Sequence, residues 1–190
     1  MPRKLPQREF ESERGQIRKA AVQSTALCIV AMVAGYALLP NLFQFPETIA
    51  DRLAFAVQAD IFVLVWVLFG VGLVWRGRRH SPADINGALS GPLGPRIAVE
   101  AAFLQNTLEQ AVLAVGLHLA LATLLPRNAL SLIVVSVVLF GLGRATFLHG
   151  YQKGAGGRAF GMITTTLPTF AGLCHRFGSR LRPASGGVRS

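Results

Sequence analysis

Five apolar runs, at residues 20–39, 53–75, 97–125, 129–150 and 158–173, divide the chain, with charged or turn-forming residues between them. A helix rises 1.5 Å per residue, so about 20 apolar residues cross a hydrocarbon core roughly 30 Å thick. The pattern predicts five membrane-spanning helices. The first run is too long for the apolar core of a signal peptide, and no clear small-residue cleavage site follows it. It is read as a retained span, closed by Pro40 and a short loop holding Asn41, Pro46, Glu47 and Asp51. The second ends on Trp75 and the cluster Arg76-Gly77-Arg78-Arg79, an interfacial aromatic followed by a cytoplasmic stop.

The longest internal loop, 80–96, is punctuated by Pro82, Asn86, Gly87, Gly91, Pro92, Gly94 and Pro95. The third run stops at Pro126-Arg127-Asn128. Gly154-Ala155-Gly156-Gly157 reads as a flexible turn into the fifth run, whose Thr164, Thr165, Thr166 and Pro168 make it the least apolar. Such residues are tolerated where a helix is buried in a bundle.

Composition agrees with the pattern. The 190 residues are 52% hydrophobic and only 15% charged, which places the chain among multi-span membrane proteins. The net charge of +10 would suit a nucleic-acid partner if the cations were spread over one surface. They gather instead beside apolar runs: Arg3, Lys4, Arg8, Arg14, Arg18 and Lys19 in the N-terminal arm, the Arg76 cluster, and Arg176, Arg180, Arg182 and Arg189 in the tail. That is the positive-inside distribution, so the expected partner is a lipid bilayer and no nucleic acid. Residues 1–19 are expected as a solvated, basic cytoplasmic arm, 20–52 as a first span with its loop, 53–175 as a four-helix domain, and 176–190 as a flexible basic tail. The loop 80–96 and the turn 151–157 then share the side of the arm, and the tail falls on the other, against the rule. Cys28 and Cys174 are too few for a disulfide framework. No metal site is expected.

Polar residues inside the third and fourth runs carry the candidate chemistry. Asn106 and Glu109 are three residues apart, hence on one face of a helix. An ionised glutamate at membrane depth costs on the order of 3 kcal/mol unless it faces partners. Arg144, in the same leaflet, is the cation expected to meet Glu109. Tyr151 follows Arg144 by two turns, and Arg158 opens the last helix, where its charge adds to the positive helix terminus. The five residues form an expected cytoplasm-facing pocket rich in anion-binding donors. The plainer reading of Asn106, Glu109 and Arg144 is polar glue between helices. Asp60 is expected to hydrogen-bond a neighbour, and His118 to be a satisfied core histidine.

These elements resemble the MAPEG family, the membrane-associated proteins in eicosanoid and glutathione metabolism, as a divergent, bacterial-type member. Asn106-Thr107-Leu108-Glu109 is similar to the family's Asn-x-x-Glu signature. The run Gly143-Arg144-Ala-Thr-Phe147-Leu-His-Gly-Tyr151 is similar to its Arg-to-Tyr run, and the glycine-rich turn leads into Arg158 as the family's does. The resemblance covers roughly 53–175 and leaves the first span as an addition to the four-helix unit. It implies an all-α integral membrane helical bundle assembled as a homotrimer, with glutathione as co-substrate held between subunits. Asn106, Glu109, Arg144 and Tyr151 would bind glutathione, and Arg158 would stabilise its thiolate. The implied activity is that of a glutathione transferase or peroxidase acting on a lipophilic small-molecule substrate, in a multi-pass protein of the bacterial inner membrane. Three positions depart: Ala102 stands where the family often has arginine, Gln110 where an aromatic is frequent, and Phe147 where a second tyrosine is often found. The alternative is a non-catalytic membrane protein of the same fold that binds lipid or scaffolds partners.

Overall fold

The computed structural model describes residues 6–87 and 91–180, with the side chains of 96 and 171–180 outside the description. Arg3 and Lys4 of the arm, Arg182 and Arg189 of the tail, and the side chains of Cys174, His175, Arg176 and Arg180 therefore lie outside the described residues.

Five long helices follow one another: α1 (Gln7–Leu42), α2 (Ile49–Arg79), α3 (Pro95–Leu124), α4 (Ser131–Gly150) and α5 (Gly154–Arg180). No strand occurs among the described residues. Short 3-10 turns, Arg127–Leu130 and Tyr151–Lys153, lead into α4 and α5. Among the described residues, four stretches are long and apolar enough to cross a membrane: α1, α2, Ile97–Leu124 within α3, and Arg127–Phe170, which runs through α4 into α5. The chain is an all-α membrane helical bundle.

Neighbouring pairs give the directions of the helices. Asp60 meets His118 and Gly70 meets Leu104, so α2 and α3 are antiparallel. Arg144 meets both Asn106 and Thr165, and Gly150 faces Gly157, so α4 runs opposite to α3 and α5. Ser24 meets Thr164 and Glu13 meets Gly156, so α1 runs parallel to α5. One end of the bundle thus gathers the N-terminal part of α1, the loop after Arg79 and the α4–α5 turn. The other end gathers Phe45, Glu47, Arg52 and Arg127. There Arg127 donates to Phe45 O and pairs with Glu47, and Arg52 donates to Leu125 O.

Lipid tails are as apolar as leucine, so burial alone does not hold these helices together; close packing and polar contacts do. Two small clusters, Ala56 with Ala122 and Ile133, and Ala111 with Ala114 and Phe140, tie α2, α3 and α4. The α4–α5 contact is closer still. A Cβ on Gly161 would overlap the backbone of Gly143 and Phe147, so only glycine admits this approach. Large apolar side chains point outward along α1 and α2, among them Val22, Val30, Val33, Phe62 and Leu68.

The arm, exposed along most of its described length, is helical: from Gln7 it is the first part of α1, and Gly156 N–H donates to Glu13 at 2.7 Å. The glycine-rich turn is shorter than expected. Helix α5 begins at Gly154 (φ +84°), so Arg158 lies one turn inside the helix rather than at its start. A positive φ costs glycine little, and Glu13 supplies an acceptor for a helix-start N–H that has no acceptor within the helix.

Candidate functional site

Arg144 sits at the centre of the polar constellation and is fully buried. Its Nη1 donates to Asn106 Oδ1 at 2.7 Å, and its Nε and Nη2 donate to Thr165 Oγ1 at 3.1 and 2.9 Å. The Thr165 hydroxyl in turn donates a hydrogen bond to Gly161 O. The guanidinium also lies 4.8 Å from the centre of the Phe147 ring and 5.7 Å from that of Phe140. A buried cation needs such partners, and this one has amide, hydroxyl and aromatic faces. It ties α3, α4 and α5 into one unit.

The expected Glu109–Arg144 pair is absent. Glu109 is exposed on the outer face of α3, where Gln105 Nε2 donates to it at 2.9 Å. Asn106 and Glu109 are about 60° apart around the helix, enough for packing to bury one and leave the other outside. Gln110 turns toward α5, its Oε1 3.0 Å from the Thr166 hydroxyl.

Beside this unit lies a cleft of about 370 Å³, lined by Asn106, Tyr151, Arg158, Ala102, Phe147 and Met162, with Ala155, Ala159 and Ile17 completing it. The Arg158 guanidinium stands 5.1 Å from the centre of the Tyr151 ring, which in turn meets Phe147 edge-on at 5.5 Å. The cleft therefore presents one guanidinium, one phenol and one amide at the arm end of the bundle. Such a site takes an anionic or strongly polar group, and Ala102, Ala155, Ala159 and Met162 leave room for an apolar one beside it. Of the five residues expected together, Asn106, Tyr151 and Arg158 share the cleft. Arg144 lies behind it, and Glu109 is turned away from it.

Sequence reasoning missed Thr165, which has no signature apart from its neighbours, and Ile17, which comes from the added helix. It also read Asp60 and His118 singly. They form one buried pair, Nδ1 to Oδ1 at 2.6 Å, with Asp60 Oδ2 and His118 Nε2 left without hydrogen-bond partners. Their similar distance from the far end of the bundle was the available signal.

The bundle and its polar centre are those of a multi-helix membrane protein with a cleft at one end. Comparison with protein families makes the class specific: the MAPEG family model matches residues 53–176, and the chain belongs to that family. Helix α1 precedes the matched region. No match was found among curated proteins or among solved structures.

Proposed function

We propose that the Arg158 cleft binds glutathione and uses it to conjugate or reduce a lipophilic electrophile dissolved in the bilayer, as a transferase or peroxidase. The observation that carries this reading is Arg158 itself, a partly exposed guanidinium in a cleft shared with Tyr151 and Asn106. A cation beside a thiol lowers its pKa, and the thiolate is the nucleophile. In conjugation the thiol gives its proton to solvent, the sulfur forms a bond to an electrophilic carbon, and a leaving group departs with the displaced electron pair. Hydroperoxide reduction would consume two glutathione molecules and yield their disulfide, an alcohol and water.

Glu109 supports assembly. An acid facing lipid is costly, and a neighbouring subunit over the outer face of α3 would cover it. We propose a homotrimer in the bacterial inner membrane, arm end toward the cytoplasm, in which glutathione lies between subunits and Glu109 meets it from the adjoining surface.

A second reading, a lipid-binding or scaffolding protein without catalysis, draws on Ala102 and Phe147. Both line the cleft and leave Arg158 as its guanidinium among the lining residues. Thiolate absorbance of glutathione bound to the purified protein decides. A signal in the wild type that Arg158→Ala abolishes supports catalysis. Its absence from the wild type overturns catalysis and leaves the second reading.

A further inference from the structure

The cleft has a wall that the family-matched region does not supply. Ile17 of α1 lines it opposite the α3 residues, while the match begins only at residue 53. The same helix grips α5 before and after Arg158 along its axis, through Gly156, Phe160 and Thr164. Glu13 accepts the Gly156 N–H at 2.7 Å, two residues before Arg158. Two turns further on, Ser24 Oγ lies 2.7 Å from Thr164 Oγ1 and donates to Phe160 O at 3.3 Å, and Cys28 Sγ lies 3.9 Å from Thr164 O. Thr164 and Thr165 are consecutive, so one turn of α5 binds α1 through the first and Arg144 through the second.

The first turn of α5 packs on Gly150 of α4, but its own residues give it little helical preference. It starts on a left-handed glycine and contains Gly154, Gly156 and Gly157, which favour helix poorly. A charge-assisted acceptor at its free N–H groups is the kind of contact that keeps such a turn helical. The position of Arg158 follows from that turn.

We infer that α1 is a working part of the site: Glu13 is a positioning residue that fixes the start of α5 and with it Arg158, and Ile17 limits the size of the group that fits beside Arg158. The inference rests on the glutathione reading for its ligand, though not for its geometry. In the full chain, Glu13→Ala increases amide exchange over Gly156–Phe160 about tenfold, the effect of losing one charge-assisted hydrogen bond. It also moves the thiolate titration of bound glutathione to higher pH. Glu13→Gln, which keeps an acceptor without the charge, restores both in part. For Ile17 the probes are glutathione and S-hexylglutathione. Ile17→Ala favours the hexyl conjugate over glutathione about tenfold more than the wild type does, and Ile17→Trp shifts the preference the other way. Unchanged exchange in Glu13→Ala overturns the positioning role, and an unchanged preference in both Ile17 variants overturns the size limit. If the wild type binds neither probe, the glutathione reading fails and the Ile17 limit falls with it. Exchange over the α5 start then decides the grip of α1 by itself.

Discussion

Arg144 and Asn106 are joined by a 2.7 Å hydrogen bond across the α3–α4 contact, and Glu109, one turn along α3, takes no part. Asn106→Ala would leave a buried guanidinium nitrogen without its acceptor, at a cost of about 1–3 kcal/mol. Glu109→Ala removes an exposed residue and should change the stability of the single subunit by less than about 0.5 kcal/mol. Thermal unfolding in mild detergent separates them. Equal destabilisation by the two variants would contradict the observed pairing.

Thr165 accepts two of the Arg144 donors. Thr165→Val keeps the shape and removes the acceptor, so it should destabilise by about 1–3 kcal/mol, whereas Thr165→Ser should not. Unfolding midpoints for the two, measured side by side, are the test.

The α4–α5 hairpin tolerates little volume. Gly161→Leu forces a side chain against the backbone of Gly143 and Phe147, and should cost well over the roughly 1–3 kcal/mol typical of overpacking between side chains. The yield of monodisperse protein after extraction reports it. Normal yield and stability would mean the two helices are further apart than described.

Asp60 and His118 should behave as a unit. Replacing either by leucine leaves the other without its buried partner, while replacing both removes the conflict. A double-mutant cycle should therefore give a coupling energy of about 1 kcal/mol or more. Additive effects would show that the pair contributes nothing.

Asp84 lies in the loop before α3. The Ser81 hydroxyl, then the Gly94 N–H, hold its carboxyl below the usual carboxylate range, with Arg78 adding to the effect. The folded carboxyl thus titrates below the unfolded one, near 3.9. Its contribution is fully present above that value and is lost as pH falls through the lower folded value. Proteolytic cleavage within 80–94 should rise on acidification below about pH 4, and Asp84→Asn should be cleaved faster at neutral pH. A wild-type loop equally protected at both pH values would refute the assignment.

The helices were legible because a membrane span needs a long apolar run, and few other structures produce one. The polar centre was legible as a set of residues and not as a set of contacts. Asn106 and Glu109 are close neighbours on one helix, and only the approach of α4 decides which of them meets Arg144. Thr165 was visible as a weakness in a span, whereas its use is to satisfy a cation six residues before the end of α4. The start of α5 was read as a turn because its glycines favour one. Glu13, more than a hundred residues earlier, tips that balance.

Ser24 and Thr164 are 140 positions apart in the chain. Helix α1 leaves the ribosome well before α5, so its buried hydroxyl waits for this partner. At about 5–20 residues per second, that interval is on the order of ten seconds. Throughout it the Ser24 hydroxyl has only its own helix to bond, and the Glu13 carboxylate has no Gly156 N–H to accept. A chain cut short before α5 would therefore leave α1 without these two partners.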